Sequence, residues 1–357
     1  MTALSEQAAL KILREAVAIS SPSGHERAVA EYVVQQAAAL GWQSSIDPAG
    51  NVLAERGTGH PIIYFLGHID TVPGEIPVRI EAGKLYGRGA VDAKGPLAAF
   101  LCGATRVAAD FPGTITIIGA VEEEASSSKG AHFAVETYPA PDFLIIGEPS
   151  GWEKLTLGYK GRVHLTYHLR QERTHGASQV PSVGTRSCEL FHHIDALPEI
   201  AKITAQSPFF SVNKNVRLIT TTHDPFYETV EMALDIRVPP DVHLEKLMQE
   251  LSALDHPGQI DICEGLEAVH CPKSGSLVAA FRKAIKANGG TPRTSLKTGT
   301  SDMNIAVPAW KCPCLAYGPG DSNLDHTPHE HIVLEEYQRS IQVIHTALTS
   351  LADRERT

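Results

Sequence analysis

What the chain has little of narrows its class before any motif is read. It has no apolar run approaching the roughly 20 residues that a membrane helix needs, so no membrane span is expected. Its six cysteines, at positions 102, 188, 263, 271, 312 and 314, are few and scattered. That excludes a small disulfide-built fold and fits thiols kept reduced. The pair in "KCPCLAY" is set closer than the usual zinc-site spacing and reads as two small strand residues. Positive charge is also short: 31 Lys and Arg stand against 41 Asp and Glu, a net charge of -10. Nucleic acid is therefore not expected as the main partner. The opening residues, "MTALSEQAALKILREAV", pattern as an amphipathic helix with acidic side chains and lack a signal-peptide pattern, so the expected location is cytoplasmic.

What is there is ordinary for a globular protein, with 43% hydrophobic and 20% charged residues. At 357 residues the chain is long for one compact core, and two domains are expected. Helical patterns cover about residues 5–19 and 25–40, the second stopped by Gly41. Short apolar runs then alternate with helical ones. "PIIYFLGH", "TITIIGAV" and "DFLIIGEPS" read as strands, "AKGPLAAFLCGATRVAAD" and "KGAHFAVETY" as helices. Apolar strands separated by helices predict an α/β fold, a mostly parallel central sheet flanked by helices.

Near residue 158 the pattern changes. "GRVHLTYHLR" puts Val163, Leu165, Tyr167 and Leu169 on one face and Arg162, His164, Thr166, His168 and Arg170 on the other. That is a half-exposed antiparallel strand, with His164 and His168 solvated. The helix "SCELFHHIDALPEIAKI", the strands "NVRLITTT" and "ETVEMALDIRV", and a helix over about 241–254 complete an inserted, smaller α+β domain. Near residue 270 the first pattern resumes, with "KCPCLAYGPG" as a strand between two helices. The expected domains are 1–157 with 269–357, and the insert 158–268.

Each strand of the larger domain ends in possible metal ligands. "IIYFLGHID" ends in His68 and Asp70, and "LYGRGAVDAKG" presents Asp92 before a helix. Thr114–Val121 runs into Glu122, Glu123 and Glu124, "FLIIGEPS" ends in Glu148, and "GPGDSNLDHTPHEH" carries His326, His329 and His331. An isolated acidic triplet is ordinarily a solvated face. Here an apolar run precedes it and the other strand ends match. Carboxylates gathered at the carboxyl edge of a parallel sheet repel one another unless cations sit among them. Imidazole and carboxylate together suit zinc, with cobalt or manganese as substitutes. Two-metal hydrolases use such sites to activate a water and polarise a carbonyl.

"GHIDTVP", "LYGRGAVDAKGPLAA", "EEEASSSKGA" and "GEPS", in that order, resemble the signatures of a co-catalytic zinc metallopeptidase family. The family contains glutamate carboxypeptidase, acetylornithine deacetylase and succinyl-diaminopimelate desuccinylase, and the resemblance covers nearly the whole chain. It implies two divalent ions per subunit, zinc first and cobalt as the substitute. By that resemblance His68 and Glu148 hold one metal, Glu124 and His326 the other, and Asp92 bridges both. His326 fits the family pattern better than His329. Asp70 orients His68, and Glu123 is the general base. In "RTHGAS", His175 matches a histidine that stabilises the oxyanion across a dimer formed by the inserted domain. "KTGTSDMN" departs from the family segment at Thr298 and Met303; it implies Thr300 as a substrate-carboxylate contact and Asp302 as a structural hydrogen-bond partner. Arg237, in "ALDIRVPP", matches an arginine that grips a substrate carboxylate.

Within the family, "VEEEASSSKGA", "LKTGTSDMNIA" and "GPGDSNLDHTPHEH" look most like one subgroup. Its members release lysine, and sometimes ornithine, from the C-terminal glutamate side chain of an acidic amino-group carrier protein, in lysine and arginine biosynthesis. Such a substrate would need a basic surface. Lys154, Lys160, Arg162, Arg170, Arg173 and Arg186 form a stretch opposed only by Glu172. The alternatives are a deacylase of N-acetylornithine or succinyl-diaminopimelate, a dipeptidase or carboxypeptidase, and a binding protein that has lost catalysis. The last is disfavoured because no metal or base position is missing.

Overall fold

The computed structural model describes residues 4–107, 111–205 and 207–355. The first three residues of the opening helical pattern, and the last three of the one read over 93–110, lie outside the described residues. The chain forms two compact units. One comprises Met1–Gly158, Cys271–Leu296 and Ser301–Thr357, the other Tyr159–His270 with Lys297–Thr300.

In the first unit the sheet is parallel at its centre and antiparallel at its flanks. Ile62–His68 lies between Thr114–Ala120 and Phe143–Gly147, parallel to both, and Cys314–Ala316 runs parallel beside Phe143–Gly147. Val52–Gly57, Gln43–Ile46 and Lys154–Tyr159 join antiparallel at the two sides. Ile63, Phe65, Leu66, Ile117, Ile118, Leu144 and Ile145 are buried. Strands covered on both faces need no polar alternation, which is why they read as apolar runs. The helix Glu6–Ala18 starts at Ser5, whose hydroxyl accepts the N–H of Ala8, and buries Ala9, Ile12, Leu13, Ala16 and Val17 as one stripe.

The register brings the functional ends level. His68 pairs with Ala120 and Gly67 with Gly147, so His68, the 121–124 turn and Glu148 leave the sheet at one edge. Gly147 is required there by close packing. A Cβ on it would come 2.3 Å from the Phe65 ring, which stacks on Phe100 with centroids 4.0 Å apart. Three short strands, Arg79–Glu81, Lys84–Tyr86 and His331–Val333, make a separate antiparallel sheet. At three residues each they are too short for a periodic pattern to announce them.

The second unit is an antiparallel sheet in the order Asn213–His223, Tyr227–Val238, Gly161–Glu172, Gln259–Leu266. Val163, Leu165, Tyr167 and Leu169 face a core shared with Leu190, Leu247 and Leu251 from the helices Val183–His193 and Leu244–Ser252. The helical run read over 187–203 breaks into Val183–His193, a 3-10 turn at Ile194–Ala196, and Pro198–Ala201. Pro198 stands at the first turn of a new helix, where its missing N–H is tolerated.

Candidate metal centre

Four of the strand-end carboxylates gather around two imidazoles. His68 Nε2 lies 3.1 Å from Asp92 Oδ1, 3.7 Å from Glu148 Oε1 and 4.0 Å from Glu123 Oε2. His326 Nε2 lies 2.9 Å from Glu124 Oε1 and 3.1 Å from Asp92 Oδ2. Asp92 therefore turns one oxygen to each histidine. Two groups have ligand atoms all within 4.8 Å of one another and share it: His68, Asp92 and Glu148, and Asp92, Glu124 and His326. His329 is exposed and enters neither group. His326 holds its place at φ 63°, in the left-handed region that side chains other than glycine rarely adopt.

Asp70 organises this end of the sheet. The Nδ1 of His68 meets the Asp70 carbonyl at 3.0 Å and Oδ1 at 3.3 Å, so Nδ1 carries a proton and Nε2 is the nitrogen turned toward the other carboxylates, where it would face a cation. The same carboxylate accepts the backbone N–H of Glu123 (3.1 Å), that of Glu124 (3.0 Å) and the Ser23 hydroxyl (2.7 Å). Burial disfavours its charge, but these donors outweigh burial and hold the carboxyl below its usual range. Asn51 closes the loop that carries the glutamates. Its Oδ1 accepts the Val121 N–H and its Nδ2 donates to the Gly130 carbonyl. A Cβ on Gly130 would lie 2.4 Å from that Oδ1, so the loop closes only on glycine. Glu122 is tied into the loop, its N–H on Glu26 Oε1 (3.1 Å) and its carboxylate accepting Ser127 Oγ (2.7 Å) beside Lys129.

The electrostatics test whether cations fit. Burial pushes the Glu123 carboxyl well above its ordinary value and raises that of Glu124. Against the expectation of a structural hydrogen-bond partner, both carboxylate oxygens of Asp302 are buried with no hydrogen-bond partner among the described residues. Burial raises it to about 8. Hydrogen bonds that its ring donates to Asp92 and Glu124 raise His326 to about 10. A protonated imidazole is thus what the bare protein has to balance its carboxylates, and divalent ions suit the same donor set better.

A model of the peptidase family M20/M25/M40 matches residues 64–350. The chain belongs to this family. It is 39% identical over 355 residues to the LysW-lysine hydrolase of Deinococcus radiodurans, covering 97% of each chain. It is 30% identical to the LysW-lysine/LysW-ornithine hydrolase of Sulfurisphaera tokodaii, covering 93% of this chain and 92% of that protein. The fold matches the M20 metallo-carboxypeptidase of Sulfolobus solfataricus at a TM-score of 0.80, with 17% identity and 97% and 99% of the chains covered. A dinuclear metal-binding M20 peptidase of Bacillus subtilis matches at 0.69, with 13% identity and 99% of both chains covered.

The remaining predicted residues of this M20 protein lie in the second unit. Arg237 donates through Nη1 to Thr300 Oγ1 (3.2 Å) and through Nε to Asp235 (2.9 Å), so those two are neighbours. His175 sits in an exposed turn, its Nδ1 accepting the Ala177 N–H. The basic stretch is less basic than its sequence. Lys160 is buried and donates to Ser211 and Asn213, Arg162 is paired with Glu264, and Arg186 with Glu189. In this unit Arg170, stacked 3.5 Å over Tyr227, and Arg173 remain exposed. Among the described residues no helix is long and apolar enough to cross a membrane.

Proposed function

We propose that this M20 enzyme hydrolyses the amide joining lysine, or ornithine, to the C-terminal glutamate side chain of the amino-group carrier protein LysW. Its place is then the last step of lysine or arginine biosynthesis, in the cytoplasm. One observation carries the reaction type: a single buried carboxylate, Asp92, faces both histidines of a carboxylate cluster at the sheet edge. For the substrate, the support is the full-length likeness to two hydrolases named for LysW.

His68 and Glu148 would hold one divalent ion, Glu124 and His326 the other, with Asp92 between them; zinc suits these donors best, and cobalt is the substitute. When bound, such ions polarise a carbonyl and make water acidic enough to react near neutral pH. Glu123 Oε takes the proton of the attacking water as its oxygen bonds to the amide carbon. The C–N bond then breaks, the same proton passes to the leaving α-amine, and the carrier glutamate regains its carboxylate. Asp70 fixes the His68 tautomer and the Glu123 backbone. Arg237 with Thr300 binds the carboxylate of the departing amino acid. His175 serves the oxyanion in the other subunit of a homodimer formed through the second unit. Supporting self-association there, the edge strand Asn213–His223 exposes Val216, Leu218 and Ile219 by 44, 49 and 48%.

The direct test incubates the cobalt- or zinc-loaded enzyme with carrier-linked lysine, N-acetylornithine and N-succinyl-diaminopimelate, and measures released amine. Lysine should be released from the carrier. Turnover of the two small acylated compounds alone would make the protein a deacylase instead.

Carrier docking rests on the two exposed arginines. Reversing both, Arg170→Glu with Arg173→Glu, should raise KM for carrier-linked lysine by about 10-fold while sparing a small N-acyl-lysine, because rim charges steer large charged partners. Equal effects on the two substrates would place the docking surface elsewhere.

A further inference from the structure

Glu330 lies four residues beyond His326 and takes no part in the reaction as drawn. Its side chain is fully buried. Oε1 accepts the backbone N–H groups of Val91 (2.9 Å) and Asp92 (3.1 Å), and Oε2 accepts Arg88 Nη1 at 2.8 Å. Arg88 in turn donates through Nε to the Gly74 carbonyl (3.0 Å), in the segment that follows Asp70. One buried ion pair therefore joins three segments. Each carries part of the metal centre: His68 and Asp70 on the first, Asp92 on the second, His326 on the third. For stability alone such a pair has little advantage over apolar side chains of the same volume, since desolvation offsets most of the attraction. Apolar replacements could not, however, hold two consecutive N–H groups at the bridging carboxylate.

We propose that Glu330 is the positioning residue that makes Asp92 a bridge between two metal ions. The proposal rests on the two-metal reading above. A carboxylate bridges two cations only while both its oxygens are presented together. Asp92 does this, with Oδ1 toward His68 and Oδ2 toward His326. Rotation of the Val91–Asp92 backbone would withdraw one of them. Glu330 blocks that rotation by holding both N–H groups. Because it shares a short loop with His326, it also sets the second imidazole against the same bridge.

The test titrates metal-free protein with cobalt(II), followed by calorimetry and visible absorption, with no substrate present. Wild type should take up two equivalents; uptake of one would remove the reading on which the proposal stands. Glu330→Ala should bind the first equivalent as wild type does and the second about 10–100-fold more weakly, the usual cost of losing a group that orients a ligand. The absorption of the second site should change shape, and activity should return when cobalt is raised to match. Glu330→Gln keeps the volume and one acceptor oxygen. It should fold where Ala does not, and show the same loss to a smaller degree. Wild-type affinity for both equivalents in whichever variant folds, accompanied only by a lower Tm, would overturn the proposal.

Discussion

Glu123→Gln should lower kcat by about 10²–10⁴-fold, the usual contribution of a positioned general base, while KM and the binding of two metal ions stay near wild type. The physical basis is the difference between Glu123 and its neighbour. Glu124 lies 2.9 Å from His326 Nε2 and belongs to one of the two groups that share Asp92. Glu123 belongs to neither, although its carboxylate lies 4.0 Å from His68 Nε2 and its side chain is only 13% exposed. Its backbone is fixed by Asp70, and the cationic group its carboxylate meets is His68, at that longer distance. Glutamine has the same length and the same backbone contact but cannot accept and return a proton. The measurement pairs steady-state kinetics with metal analysis. Loss of a metal equivalent from Glu123→Gln would identify Glu123 as a ligand, because His68, Glu123 and Glu124 also form a compact group. Near-normal activity would remove it from proton transfer altogether.

The two adjacent glutamates could be told apart in the sequence only through the family resemblance. The strands beneath them were plain in the residues themselves. Thr114–Ala120, Ile62–His68 and Phe143–Gly147 are buried on both faces, and such strands leave apolar runs that nothing else in a polar chain imitates. The alternation Val163, Leu165, Tyr167, Leu169 was equally legible, because one face of that strand meets a core and the other does not. Illegible were the side chains that hold the loops. Ser23 reaches Asp70 across 47 residues, Asn51 reaches Val121 across 70, and Glu330 reaches Asp92 across 238. Each is a polar residue in a loop, and local sequence cannot distinguish a solvated one from one buried against a distant backbone. The same limit holds for the charge of 154–186, where paired and buried cations look like free ones. Arg162 is neutralised by Glu264, a residue 102 positions away on the neighbouring strand. Asp302 differs again. Its segment resembles a structural hydrogen-bonding turn, yet the carboxyl is buried without such a partner, within electrostatic reach of His68, Asp70 and Glu148.

Asp70→Asn should weaken metal binding by about 10–100-fold and, unlike a change that only disturbs His68, should also leave kcat low when metal is saturating. By the family resemblance Asp70 has a single task, to orient the imidazole. The structure gives its carboxylate four donors: His68 Nδ1, the Ser23 hydroxyl, and the N–H groups of Glu123 and Glu124. Asparagine retains one acceptor oxygen and points an NH₂ where a carboxylate oxygen had been. At least one of the two backbone N–H groups then loses its partner in a buried site, at about 1–3 kcal/mol. The turn can relieve that cost by moving, and it carries both Glu123, the proposed base, and Glu124, a proposed ligand. Excess cobalt restores occupancy by mass action but cannot return Glu123 to its place. A His68-only role predicts the opposite, full recovery of kcat once both ions are bound. Ser23→Ala, which removes one neutral donor from the same carboxylate, supplies the scale: about 1 kcal/mol of stability and little change in kcat. Titrating the activity of Asp70→Asn with cobalt to saturation therefore separates the two roles, since only a displaced glutamate turn leaves a plateau below wild type.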